Sequence, residues 1–149
     1  MMRKTLLVLL VGTLVLGRGE SAFAIKQFYD QWIEMYVDEE DDSDEAVEYK
    51  EIVTDSKTRC LVCHQGKKKK HHNPYGKHLK ELLTKDDKED TEKIIEALEE
   101  VGELPFDPEA DPEDEDTIDF NEVIKKHELP GGELEDLQEE PEEEENGDG

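Results

Sequence analysis

The two cysteines of this 149-residue chain lie close together, and a histidine follows directly: Cys60-Leu61-Val62-Cys63-His64. Two thiols separated by two residues fit on one helical turn and reach neighbouring edges of the same porphyrin, where they add to its vinyl groups. The adjacent imidazole then lies under the ring as an iron ligand. The spacing therefore predicts one covalent c-type haem, bound through Cys60 and Cys63, with His64 as the proximal ligand.

Three other interpretations of the motif remain open. A redox-active dithiol favours a βαβ context, which the sequence does not indicate. A zinc site would combine the two cysteines with two of His64, His71 and His72, but the gap to His71 is short and there is no second cysteine pair. A plain Cys60–Cys63 disulfide would close a very small loop and stabilise little.

The sixth iron ligand is open as well, because all three methionines precede the motif. His127 and His78 each fall on an apolar stripe with helical spacing, and we expect one of them to be the distal ligand. A second imidazole would lower the reduction potential relative to a methionine. The weaker alternatives are Met35, His71, His72 and a site that is open or bound to water.

The apolar spacing predicts about four short helices to position these groups and no strand. An aromatic helix covers 25–37, a helix capped by Asn73 and Pro74 runs to about Thr84, another spans 91–102, and one capped by Asp119 carries His127. A short segment, 46–53, also has helical spacing. About 80 ordered residues bury little surface, so such a chain usually needs a disulfide, metal or cofactor.

The first 24 residues have the features of a signal peptide. Arg3 and Lys4 precede an apolar run over 6–16, and Ala22-Phe23-Ala24 is a cleavage pattern. The run is about eleven residues, against roughly 20 for a membrane span. We therefore expect a periplasmic or secreted protein that receives its haem from the cytochrome c maturation machinery, with no stable membrane span after cleavage.

Charge divides the rest of the chain. The net charge of -25 argues against a nucleic-acid partner. The acidic run 38–45 is predicted to be a linker and 133–149 a disordered tail, which leaves 25–132 as the folded domain. Residues 57–80 contain eight Lys and Arg and no Asp or Glu. This basic segment predicts a docking surface for an acidic redox protein.

The segment from Arg59 to Lys67, followed by Asn73-Pro74-Tyr75-Gly76, resembles small secreted bacterial mono-haem cytochrome c-like proteins. The resemblance covers roughly residues 25–132. It implies an all-α cytochrome c-like domain that transfers electrons and is not an enzyme, with Cys60, Cys63 and His64 in their family roles. The chain departs from the family's usual pattern because no methionine follows the motif.

Two other classes of function remain as alternatives. One is a haem protein with an open distal site, either a sensor or a peroxidase-like enzyme. The other is an acidic secreted module that binds zinc or calcium without haem. The calcium alternative depends on residues 111–122, whose second half, 118–122, resembles the end of an EF-hand loop, but Asp116 takes the place of the required glycine and prolines interrupt the entering helix.

Overall fold

The computed structural model describes residues 26–68, 70–111, 114 and 116–141. This part of the chain is mostly helical, as predicted. The predicted signal peptide, and the predicted tail from residue 142 onward, lie outside the described residues. The α-helices are α1 Lys26–Tyr36, α2 Asp44–Thr54, α3 Pro74–Leu82, α4 Thr91–Gly102, α5 Phe120–Lys125 and α6 Leu134–Gln138, with 3₁₀ turns at Arg59–Val62 and Lys85–Asp87.

Short polar side chains start four of the helices by accepting a hydrogen bond from a backbone N–H of the first turn. The helix starts predicted at Asn73 and Asp119 are confirmed, and Pro74 occupies the first turn of α3; of the two residues able to cap the helix over 91–102, Asp90 and Thr91, the cap is Asp90. The helical segment predicted over 46–53 is also present as α2. Its cap is Ser43, so the last two residues of the predicted linker belong to the helix.

The helices bury their apolar faces in one core. Helix α1 packs on α4, where the Tyr36 hydroxyl donates a hydrogen bond to the carbonyl oxygen of Leu98 (3.1 Å). Helix α3 also packs on α4, and its Tyr75 ring contacts the Phe120 ring of α5 in an edge-to-face arrangement, with centroids 5.2 Å apart. The most deeply buried apolar side chains are Trp32, Val53, Val62, Tyr75, Ile94, Leu98, Val101, Phe120, Val123 and Ile124.

The prediction of no strand is wrong. His64–Gln65 forms β1 and His71–His72 forms β2, and they pair antiparallel with His64 opposite His72. Two-residue strands are too short to show an alternating pattern, so periodicity cannot reveal them.

The predicted disordered tail begins with structure instead. Helix α6 lies within it, and Leu137 is only 2% exposed in the core. Leu134 and Leu137 are one helical turn apart and give this acidic segment an apolar side. Because residues 133–149 are mostly acidic, their composition alone did not indicate that Leu134 and Leu137 pack on the core.

The prediction that His127 lies on a helix face is also wrong. Helix α5 ends at Lys125, and His127 has a left-handed backbone with φ 59°. An acidic loop, residues 106–118, precedes α5. A β-bridge between Pro105 and Asp119 joins the two ends of this loop. Among the described residues, no helix is long and apolar enough to span a bilayer.

Candidate functional site

The two cysteines lie on one tight turn of the chain. Cys60 is in the 3₁₀ turn Arg59–Val62, and the backbone N–H of Cys63 donates to the carbonyl oxygen of Cys60 at 3.3 Å. Both side chains are half-buried free thiols. Leu61 and Val62 are buried between them and fix the turn to the core. The local fold therefore holds the two thiols together without joining them.

Asn73 fixes this turn against α3. Its Nδ2 donates to the carbonyl oxygens of Leu61 (2.8 Å) and Val62 (3.0 Å), and its Oδ1 accepts from the N–H of Gly76 (2.8 Å). The backbone N–H of Asn73 donates to the carbonyl oxygen of Cys63 (3.2 Å). Sequence analysis identified the cap but missed the other role of this fully buried side chain. The Asn-Pro pair marks a helix start wherever it occurs and carries no signal for a distant contact.

Helix α3 approaches the turn as closely as a backbone can. A Cβ atom on Gly76 would lie 1.9 Å from the carbonyl oxygen of Cys63, so only glycine fits at this position. The turn and the helix therefore form one rigid unit.

His64 is buried, with 5% of its surface exposed. Its Nδ1 lies 3.2 Å from the carbonyl oxygen of His71. A carbonyl can only accept, so this bond places the imidazole proton on Nδ1 and makes Nε2 the nitrogen with the lone pair. Nε2 is therefore the nitrogen suited to bind a metal.

A second imidazole lies against the first. The ring centroids of His64 and His72 are 4.6 Å apart, with 35° between the planes. Burial lowers the pKa of His72 to about 4, and electrostatic interactions with the neighbouring imidazoles and with Lys80 and Lys77 lower it further. His72 is therefore neutral at pH 7.

Cys63 packs against the main core. Burial, with a smaller contribution from Cys60, raises the pKa of the Cys63 thiol to about 12. The thiol is therefore protonated at neutral pH, and the nucleophilic thiolate is scarce in this fold.

Three buried polar atoms lie in the same core: Trp32 Nε1, the Tyr49 hydroxyl and the Tyr75 hydroxyl. Tyr75 lies close to the polar groups of both Trp32 and Tyr36, whereas the Tyr49 hydroxyl makes no hydrogen bond with any described residue. Burial raises the pKa of both Tyr49 and Tyr75, so the hydroxyls remain neutral donors. A buried donor without an acceptor costs about 1–3 kcal/mol, so Tyr49 lowers the stability of this core.

The two predicted distal ligands, His78 and His127, each have a defined set of neighbours in the structure. The His78 ring lies beside Phe120, with centroids 6.1 Å apart. His127 Nε2 lies 3.6 Å from an Asp41 carboxylate oxygen, and its ring is 5.7 Å from that of Tyr49, at a cavity of about 170 Å³. The imidazole brought against His64 is that of His72, which the sequence ranked below both.

The zinc and calcium alternatives gain no ligand set. Within the described ranges, no group of three or more His, Cys, Asp or Glu side chains is arranged to hold a metal ion. The cysteines are not joined as a disulfide in this structure.

Helix α6 covers the loop that follows the motif. The N–H of Gly66 donates to the carbonyl oxygen of Leu137 (2.9 Å), and the N–H of Lys68 donates to Glu140 Oε1 (3.2 Å). Gly66 has a left-handed backbone (φ 78°), and a Cβ atom there would lie 2.7 Å from the Glu140 carboxylate. The basic loop and the acidic segment are therefore in direct contact.

Comparison with known proteins gives no relative: no protein-family model matches the chain, and no curated protein or solved structure is similar to it.

Proposed function

We propose that this chain is an exported mono-haem c-type cytochrome that transfers electrons. The observation that carries the proposal is the Cys60–His64 turn, in which two free thiols and a buried imidazole lie in immediate sequence on one fixed segment. The other thiol chemistries have weaker support, since zinc lacks ligands among the described residues and the dithiol lacks its usual context.

The donor set fits a haem. Thioether attachment needs two thiols on one turn, which Cys60 and Cys63 supply. Proximal ligation needs a neutral imidazole whose second nitrogen is oriented by a hydrogen bond, and the His71 carbonyl provides this for His64.

Each of these residues has a distinct role in the proposal. Cys60 and Cys63 tether the group, and Asn73 holds the turn in place. His64 would bind the iron through Nε2, while its Nδ1–H donates to the His71 carbonyl oxygen and keeps the ring oriented. The buried side chains of the core exclude water and thereby influence the reduction potential. When bound, the haem supplies a one-electron carrier.

The burial of Cys63 also constrains the order of events. A thiol with a pKa of about 12 is a poor nucleophile at neutral pH. We therefore propose that the thioethers form before the core closes, while the maturation machinery holds the exported chain.

His127 and His78 remain our proposals for the distal ligand. Either would have to leave its present neighbours to reach the iron of a haem tethered at the turn. The basic segment 57–80 remains the proposed docking surface for an acidic redox partner, because steering by opposite charge speeds association.

The test is expression of the full chain with the cytochrome c maturation machinery, followed by intact mass and visible spectra in both oxidation states. We expect a mass increase of one haem and a sharp reduced spectrum typical of a thioether-linked haem. Low-spin iron would indicate a sixth ligand, and high-spin iron that binds carbon monoxide would support the alternative with an open site.

Two sets of variants sharpen this test. Cys60→Ser with Cys63→Ser should abolish covalent haem. His78→Ala and His127→Ala should keep it, and the variant that loses the distal ligand should become high-spin. A wild-type protein without haem in a host that loads another cytochrome c would refute the proposal.

A further inference from the structure

The loop between β1 and β2 carries four consecutive lysines, Lys67–Lys70, next to the proposed haem turn. A second charged run occurs late in the sequence: residues 139–145 contain six glutamates around Pro141, of which the structure describes those up to Pro141. We call these the lysine loop and the glutamate run. The lysine loop is one of the few strongly positive stretches in a chain of net charge -25.

The fold brings the start of the glutamate run onto the lysine loop. Leu137, 2% exposed, anchors α6 in the core, and its carbonyl oxygen accepts from Gly66. Three residues later, the Glu140 carboxylate accepts from the N–H of Lys68 and lies against Gly66, where a side chain would not fit. Gln65 Nε2 also approaches the carbonyl oxygen of Asp136 (3.5 Å). These contacts fix where the run begins.

Four more glutamates follow Pro141. Four residues span at most about 14 Å, so residues 142–145 stay within reach of the lysine loop from their fixed starting point. Opposite charges held together in one chain meet at an effective concentration in the millimolar range. An outside anion must displace them to reach the same lysines.

We propose that the glutamate run occupies the lysine loop of its own chain and competes there with acidic partners. The contact of Glu140 with the backbone of Gly66 and Lys68 is the geometric basis of the proposal, and the part played by residues 142–145 is inferred from chain length and charge. The consequence for electron transfer rests on the proposed function, since it assumes that a redox partner docks beside the haem turn.

The first experiment tests competition with the full-length exported protein. The variant replaces Glu142, Glu143, Glu144 and Glu145 by Gln, which keeps the length and removes four charges. A matched control replaces Glu96, Glu99, Glu100 and Glu103 by Gln, which are exposed residues in or directly after α4. Both variants have the same net charge, so a difference in their affinity for an anion depends on where in the chain the four glutamates were replaced.

The probe is a fluorescent oligoglutamate peptide whose binding is followed by anisotropy. At low salt, we expect the tail variant to bind it roughly tenfold more tightly than the wild type, or ~1.4 kcal/mol. The control should differ from the wild type by less than about twofold, and the advantage of the tail variant should vanish at high salt as charges are screened. Equal affinities of the two variants would overturn the proposal.

The second experiment needs neither partner nor haem. Lysines are labelled with an amine-reactive ester and their rates are read by mass spectrometry, with Lys85 and Lys88 as internal references. We expect faster labelling of the lysine loop in the tail variant and unchanged rates at the references. Unchanged rates in the loop would overturn the proposal. Protein that shows faster labelling but carries no haem would instead refute the proposed function and leave this inference intact.

Discussion

Cys63 is both the residue that the proposed chemistry needs most and a poor nucleophile in the folded chain. Its thiol packs against the core, and burial raises its pKa to about 12. The sequence predicts the pair Cys60 and Cys63 by spacing alone. It does not predict their environments, because burial depends on α3 and on the distant segments that close over the turn.

This environment predicts slow alkylation of Cys63. In a haem-free Cys60→Ser variant, we expect iodoacetamide to react at pH 8 roughly a hundredfold more slowly in buffer than in denaturant, because folding removes the thiolate. Mass spectrometry of timed samples measures both rates. The Cys63→Ser variant reports Cys60 in the same way, and equal rates for Cys63 with and without denaturant would contradict the expected burial.

His72 predicts a pH dependence of stability. Its pKa is about 4 in the folded chain and about 6.5 in the unfolded chain, so the unfolded state gains a proton first as the pH falls. The free energy of unfolding should therefore fall between pH 6.5 and pH 4, with no contribution from His72 above that range. Urea unfolding at pH 7.5 and pH 5 measures the difference.

A His72→Gln variant should lose less stability between these two pH values than the wild type. The measurement at pH 7.5, where His72 is neutral in both states, isolates the packing lost by the substitution. An identical pH dependence in both proteins would show that the imidazole titrates normally.

At the level of elements, Asn73 joins the Cys60–His64 turn to α3. We expect Asn73→Ala to lower the free energy of unfolding by about 2–4 kcal/mol, because it removes a cap and leaves two buried carbonyls without their donor. Chemical denaturation of the haem-free chain measures this.

Asp90→Ala is the matched control. Asp90 caps α4 by accepting from the N–H of Lys93 and is exposed, so its loss should cost only about 1 kcal/mol. Equal costs for the two substitutions would mean that Asn73 acts as a cap and nothing more.

The elements also show which patterns in a sequence are informative. Helices α1, α3 and α4 have apolar stripes, α3 and α4 also have recognisable caps, and all three were predicted within a few residues. Helix α6 was missed because two leucines among many acidic residues leave the segment with a mean hydropathy that is typical of disordered chains. The end of α5 was misplaced because His127 continues the apolar spacing, although its backbone has already turned.

Charge dominates the molecule as a whole. A net charge of -25 on a chain of only 149 residues is large, so self-repulsion destabilises the compact state. The described ion pairs with lysine, Lys26–Asp30 and Lys93–Asp87, are exposed enough to contribute little. Composition alone predicts this balance, whereas the contact between the lysine loop and the glutamate run required the fold.

We therefore expect the melting temperature to rise by a few degrees as sodium chloride increases from about 0.01 to 0.3 M, since screening relieves the repulsion. Thermal unfolding followed by circular dichroism measures it. Choline chloride at equal ionic strength should give the same shift if screening is the cause. A melting temperature that falls with salt would mean that favourable ion pairs outweigh the repulsion.

The bridge between Pro105 and Asp119 has a practical consequence. Two further hydrogen bonds close the same neck, from Phe106 N–H to the carbonyl oxygen of Ile118 and from Phe120 N–H to that of Leu104. The chain enters and leaves the acidic loop at one fixed point, and lengthening a loop costs little once its ends are fixed. An affinity tag or a surface-coupling peptide spliced in at exposed Glu109 would thus give the protein a handle for attachment to an electrode.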